Sequence, residues 1–510
     1  MKKVTLFLLV LSLLAGCQAA PPEDGPRDKT SVTVVMPPTS EPEAGFDPAF
    51  GWGAGEHVHE PLIQSTLTVT NPDLTIGYDL ATGMEASEDG LTWTVSIRDD
   101  AKFTDGTPLT AADAAFTYNT VKTTSSVNDF TMLDYADAVD DTTVVFHMTR
   151  PFSIWPYTMA IVGIVPEHTY DPAVYGSNPI GSGRYILKQW DRGQQVILEA
   201  NPDYYGEPPR MERVVILFME EDAAFLAVQA GQADLAYTSA AYSDQSVNGY
   251  SLLSVQTVDN RGINLPVWNN ALTSDPLVRH AINLGLDRQA MIDHVLSGYG
   301  TPAYSVCDAM PWWYSAAQVS DNPEQAKNVL DSAGWLPGAD GVREKDGVRA
   351  SLTVHYAAGD SVRQGLAAEL ANQLRELGIE TNIKGVGWDT AYDDALSNPL
   401  VWGWGAHTPM ELYNIYHTAP NSDSARYSPY SNAAVDDLME AALACPGLEE
   451  SYTLWQAAQE EIAKDVPWVW LVNVDHLYWV REGLEIAEQK IHPHGHGWSV
   501  VNNVDQWSWT

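Results

Sequence analysis

Between Ser351 and Ile383 the chain has a rhythm that leaves few architectures open. Ser351 to Tyr356 reads as a strand. Val362, Leu366, Leu370, Leu374 and Leu377 then recur every three or four residues, one apolar face of a helix stopped by Gly378. Glu380 to Ile383 follows as a second strand. Consecutive parallel strands cannot be joined by a tight turn, so a strand–helix–strand run implies a parallel sheet with helical cover. Ser274-Asp275-Pro276 opens another helix, with a capping side chain, a first-turn proline and the stripe Leu277, Val278, Ala281 and Ile282.

The first half is paced differently. β-Branched residues crowd Ser31 to Met36, and Leu91 to Ile97 alternates apolar with polar, the mark of a half-buried strand. Thr110-Ala-Ala-Asp113 resembles a capped helix start. Thr143 to His147 and Gln195 to Leu198 add short strands separated by Gly, Asp and Pro. The expectation is an α/β protein whose first half is antiparallel and strand-rich. There is no internal repeat.

At 510 residues the chain is too long for one core and suits two or three packed units. Lys and Arg number 27 against 67 acids, a formal charge of −40, and that field would repel a phosphate backbone. Nucleic acid is therefore not an expected partner. The 45% hydrophobic content indicates a globular chain. Residues 1–16 have a basic start (Lys2, Lys3), a short apolar run and small residues, the layout of a signal peptide too short to span a bilayer. Leu14-Ala15-Gly16-Cys17 resembles the bacterial lipoprotein box, which implies lipidation at Cys17. Residues 17–30, polar and proline-rich, would form a flexible tether on the outer face of the cytoplasmic membrane or in the periplasm. The remaining cysteines, Cys307 and Cys445, are consistent either with a disulfide or with two free thiols.

Several motifs, in order, carry a resemblance to bacterial solute-binding proteins of the peptide/nickel class (family 5), the receptors of ATP-driven importers. They are Glu88 to Asp113 (EDGLTWTVSIRDDAKFTDGTPLTAAD), Pro179 to Tyr185 (PIGSGRY), Ala200 to Gly206 (ANPDYYG), Ala230 to Leu235 (AGQADL) and Asp275 to Arg288. The resemblance runs from about residue 31 to the end. It implies a two-lobed, periplasmic-binding-protein-like (type II) fold with a hinge and a discontinuous first lobe. Lobe I is expected at 31–262 and 473–510, and lobe II at 263–472. The chain should cross outward near Asp259 to Asn264 and return near Trp470 to Asp475. Permease and ATPase subunits are the implied partners, and the cargo is a small solute captured by hinge closure.

The residues themselves bear on the cargo. Ile491 to Trp498 (IHPHGHGW) packs imidazoles into a Pro- and Gly-punctuated loop, and alternating histidines can present nitrogen to a metal such as nickel. His57 and His59 fall on one face if their segment is extended. With His494 and His496 they are the candidate metal ligands. Trp402-Gly-Trp404-Gly-Ala-His407 is expected on a flexible turn. Arg261 is the candidate grip on a ligand carboxylate, or else a structural ion pair. Trp388, Trp402, Trp404 and Trp498 are candidate stacking surfaces beside His407. The expected cargo is nickel or a nickel chelate, with a short peptide as the alternative and a carbohydrate as a lesser one. No catalytic cofactor is expected. There is no Gly-x-Ser-x-Gly elbow, phosphate loop or His-Glu-x-x-His helix, so the chain is not read as an enzyme. Paired carboxylates acting on sugars are the one enzymatic alternative left.

Overall fold

The computed structural model describes residues 28–53, 62–125, 129–306, 308–317, 319, 321–418, 430–495 and 497–510. The signal segment, Cys17, His57, His59, Cys307 and His496 lie outside the described residues. No described helix is long and apolar enough to cross a membrane.

Ser31–Met36 forms the centre of a seven-stranded sheet, pairing in parallel with Arg213–Phe218 on one side and Leu235–Thr238 on the other. Gln195–Ala200 and Tyr185–Asp191 extend it antiparallel beyond the first of these. On the other flank lie His476–Arg481 and then Tyr250–Val255. A strand from near the C-terminus therefore sits inside a sheet built by the first half, and the first unit is discontinuous.

A second sheet, antiparallel and four-stranded, runs Ala81–Ala86, Thr92–Ile97, Thr143–Met148, Leu133–Asp140. Along Thr92–Ile97 the side chains of Trp93, Val95 and Ile97 are buried and those between them are not, as period-two patterning requires. The helix Ala111–Thr124 packs on this sheet, and its start is a capping box between Thr110 and Asp113.

The strand–helix–strand unit is Ser351–Ala357, Ser361–Glu376 and Glu380–Val386, with the two strands paired in parallel. Asp360 caps the helix by accepting from the Arg363 amide, and Leu366, Leu370 and Leu374 face the core. Gly378 ends the unit at φ +83°, a left-handed conformation that favours glycine. The helix Pro276–Gly285 starts on an Asp275 cap, as its sequence implies.

Two neighbouring strands join the halves. Asn260–Asn264 leads out of the first half, and Trp468–Val474 returns antiparallel beside it. Gly300–Pro302 and Val401–Trp402 complete this sheet at its edges. Every residue of Asn260–Asn264 is buried. The Asn264 side chain donates to the Ala395 carbonyl (2.7 Å) and accepts from the Leu400 amide (2.7 Å). The Asn260 side chain donates to the Val306 carbonyl (3.2 Å) and accepts from the Trp404 amide (3.1 Å). Polar side chains on this strand thus hold loops of the second half.

The glycine turn Pro179 to Tyr185 has a steric explanation. A Cβ on Gly181 would overlap the Ile63 carbonyl, and one on Gly183 the Leu62 carbonyl. The Gly183 amide donates to the Ile63 carbonyl at 2.9 Å, so the two segments cannot separate without losing a buried bond. Gly181→Ala is expected to destabilise the protein by about 2 kcal/mol or more, and Gly83→Ala, with open space around it and no left-handed backbone, by much less. Denaturant unfolding of the two variants checks this, and equal losses would refute it.

Candidate functional site

The two crossing strands carry a concentration of charge and aromatic surface. Its centre is Asp259, a buried carboxylate immediately before the outward strand. Both Nη groups of Arg261 donate to it. His494 Nδ1 lies 2.6 Å from Oδ1, and His476 Nε2 lies 3.6 Å from Oδ2. Burial alone would push this carboxyl up, but Arg261 and His494 outweigh it and hold it well below the usual carboxylate range. Three parts of the chain thus converge on one anion: the outward strand, the start of His476–Arg481, and the C-terminal tail.

Backbone bonds fasten the same junction. The Val258 amide donates to the His492 carbonyl (2.8 Å), and the His494 amide to the Gly405 carbonyl (2.6 Å). Glu411 accepts from the amides of Gly405 and Ala406 (3.1 and 2.5 Å). The tail therefore touches the Trp402–His407 turn directly.

Beside this network runs a ladder of aromatic rings, and ordinary backbone periodicity builds it. Trp388 and Tyr392 are four apart on the helix Trp388–Asp394 and stack at 5.9 Å. Trp402 and Trp404 are two apart on extended chain and stack at 5.5 Å. Trp468 and Trp470 do the same on the returning strand, also at 5.5 Å. Tyr392 meets Trp402 at 5.6 Å, and Trp404 meets the edge of Trp468 at 5.1 Å, so the three pairs are continuous. The inner rings of Trp402, Trp468 and Trp470 are buried, whereas Trp388 is 42% and Tyr392 39% exposed. Gly403 separates Trp402 from Trp404 because a Cβ there would lie 2.6 Å from Arg261 Nη1 and 2.7 Å from the Asn260 carbonyl.

The structure thus brings Arg261, Trp388, Trp402, Trp404, His407 and His494 into one region. Trp402 is not on a free turn: it belongs to a strand paired with Gly262. Trp498 lies elsewhere. Its ring packs against Phe46 and Trp52 in the core of the seven-stranded sheet, and its Nε1 donates to the Ser40 carbonyl (2.6 Å). The histidine-rich loop is also arranged differently from a row of exposed ligands. His492 is buried, its Nδ1 3.2 Å from that of His476 and its Nε2 3.0 Å from Gln489 Oε1. Among the described residues no group of three or more His, Cys, Asp or Glu is placed to hold a metal ion. Cys445 carries a free thiol.

Sequence reading missed Asp259, Arg363, Tyr392, Trp468 and Trp470. The i,i+2 and i,i+4 aromatic spacings were the available signal for the last three. Nothing local marks Asp259, whose partners His476 and His494 are more than 200 residues away.

His407 is buried beside Lys490, and its Nε2 has no hydrogen-bond partner. Burial, with the charge of Lys490, pushes its imidazole down to about 3. An unfolded histidine protonates near pH 6.5. Between those values the unfolded state binds more protons, so stability falls as pH is lowered through that window, by about 1.4 kcal/mol per pH unit at most. His407→Gln is expected to lose less stability than the native protein between pH 7 and pH 4.5. Urea unfolding at both values decides this, and equal losses would show that His407 does not titrate in this way.

Comparison with known proteins follows the same outline. The profile of the bacterial extracellular solute-binding proteins, family 5 (middle region), matches residues 75–425. Protein XP55 of Streptomyces lividans is 29% identical over 464 residues, covering 88% of this chain and 84% of its own. The oligopeptide-binding protein AppA of Bacillus subtilis is 27% identical over 478 residues, covering 88% and 86%. The AppA structure with a nonapeptide superposes with a TM-score of 0.70 at 25% identity, covering 94% of this chain and 99% of that one. NikZ of Campylobacter jejuni, solved with Ni(L-His), gives a TM-score of 0.74 at 21% identity, covering 94% and 100%. Such structural neighbours are two-lobed periplasmic binding proteins of family 5. On the extent of these matches, this chain belongs to the family 5 bacterial extracellular solute-binding proteins.

Proposed function

We propose that the protein captures a small, carboxylate-bearing organic solute beside the crossing strands, closes over it, and delivers it unchanged to an ATP-driven permease. One observation carries this reading: a continuous aromatic ladder, open at one end, lies against two arginines where the halves of the chain meet. Aromatic faces hold flat or apolar groups and guanidinium holds carboxylates, so the region suits an amphipathic organic anion. A short peptide meets that description, and the curated relatives that bind oligopeptides support it.

A nickel chelate is the second reading, favoured by His494 in the Asp259 network and by the neighbour solved with Ni(L-His). In that case the carboxylates of the chelator meet arginine, and His494, with His57, His59 and His496 outside the described residues, supplies nitrogen. Nickel here is cargo, and no catalytic cofactor takes part.

The lobes in this proposal are 31–262 with 473–510, and 263–472, with both limits falling inside the two crossing strands, Asn260–Asn264 and Trp468–Val474. Two adjacent crossing strands form a hinge, and closure follows from ligand contacts made only in the closed state. Family 5 binding proteins are extracytoplasmic. We assign residues 1–16 as the signal and Cys17 as the lipid attachment, holding the receptor near its permease and ATPase subunits.

A ligand that binds only the folded state at a hundred times its Kd adds about 2.7 kcal/mol of stability. Thermal melts against a tripeptide mixture and against nickel with histidine are expected to shift upward for one of the two, with a smaller radius of gyration in solution scattering. A shift with peptides alone would remove the nickel reading. No shift and no contraction with either would remove the proposed cargo classes, and turnover of a sugar substrate would overturn the receptor role.

A further inference from the structure

Arg363 lies on the first turn of the helix Ser361–Glu376, with its guanidinium 5.6 Å from the centre of the Trp388 ring. Its Nη1 donates to Asp360, and its Nε–H is buried without an acceptor. Arg261 repeats the arrangement on the other side of the ladder: both Nη groups are taken by Asp259, and Nε–H is buried with none. Arg261 packs on Gly403, between Trp402 and Trp404, and Trp402 lies 5.8 Å from Trp388. The two guanidiniums therefore flank the same short run of rings. They are close enough that the charge on Arg261, together with burial, works against the proton on Arg363.

Each guanidinium is paired with its own aspartate, but each keeps an unused buried donor, an unfavourable arrangement for a site that nothing enters. A buried donor without an acceptor costs roughly 1–3 kcal/mol, and nearly all such groups in folded proteins find a partner. The aspartates do not fill this role, because they engage the Nη corners and leave the Nε edges. A carboxylate that meets the Arg363 edge beside Trp388 supplies the acceptor that this donor lacks, with Arg261 a further positive group nearby. The exposed face of Trp388 beside Arg363 then covers whatever carries that carboxylate, and a ring face favours a flat group.

Resting on the receptor reading above, we propose that Arg363, Arg261 and the open face of Trp388 form an anchor for a carboxylate attached to a planar, unsaturated group. The cargo is then a planar organic anion, or a peptide or chelate that presents one. Arg363 is the specificity-determining residue: its Nε edge selects the anion, and its position over Trp388 fixes the plane in which the anion lies.

Benzoate is the minimal probe, and benzamide, of the same shape without the charge, is its control. Titrating the full-length protein and following tryptophan fluorescence is expected to show saturable binding of benzoate in the millimolar range. Benzamide is expected to bind at least tenfold more weakly. Arg363→Gln should lose tenfold or more for benzoate and little for benzamide, with Arg363→Lys in between. Trp388→Ala, a change at a partly exposed ring, should weaken both probes and guards against a folding defect in the arginine variants. Benzoate that does not saturate, that matches benzamide, or that binds Arg363→Gln like the native protein overturns the anchor. A peptide found to bind equally well as its C-terminal amide would also remove the anchor while leaving the receptor standing. Failure of every peptide and nickel–histidine mixture, with benzoate still selective, would instead remove the cargo reading.

Discussion

The junction between the two halves depends on one buried anion. Asp259 sits where the chain leaves the first half, and Arg261, His494 and His476 reach it from three separate segments. A carboxylate out of water is costly, and removing one partner of a buried pair commonly costs about 3–5 kcal/mol. The fold meets that cost by surrounding the carboxylate with donors instead of leaving it half paired. The arrangement is specific, because only one placement of the tail and the outward strand lets all three donors meet the same two oxygens.

That constraint shapes the rest of the site. With Arg261 fixed by Asp259, its shaft fills the space beside residue 403, and only glycine fits there. Glycine at 403 then admits Arg261 on one face of the extended segment while Trp402 and Trp404 stack on the other, and the ladder continues to Trp468 and Trp470 on the returning strand. Rings on the returning strand and rings from the second half thus share one stack across the hinge. In the proposed function, a solute stacked on Trp388 would add to an existing column, and its contact energy would be felt at the crossing strands. Differential contact of this kind is what a receptor needs for its permease to tell loaded from empty.

The sequence made the local devices plain and hid the distant ones. The parallel unit at 351–386 was readable because its helix stripe, its cap and its Gly378 stop all lie within forty residues of one another. The crossings were placed by resemblance near Asp259 to Asn264 and Trp470 to Asp475, where the structure has the paired strands Asn260–Asn264 and Trp468–Val474. Side-chain roles were less legible. Trp498 and Trp404 look equally like stacking surfaces on paper, but Trp498 is enclosed by Phe46 and Trp52 from a segment 450 residues earlier. The histidine loop looks like a row of ligands, but its members have different fates: His492 points into the protein to meet His476, and His494 meets Asp259. Such pairings are set by tertiary contact and leave no local signature.

Two buried groups beside the crossing strands titrate in opposite directions. Burial pushes the Asp308 carboxyl up to about 7, although the Tyr304 amide and the Asn473 side chain on the returning strand support its charged form. The folded state therefore holds a proton there that the unfolded chain, near 3.9, has released, and this contribution grows as pH falls through 7. His407 acts with the contrary sign over much the same interval, losing stability as pH falls from 6.5. One proton held by the folded state offsets one refused by it. Buried His492, held well below the usual imidazole range by burial and the charges of His476 and Lys490, refuses a second proton, so Asp308 offsets only part of the acid sensitivity of this junction between about pH 4 and 6.5.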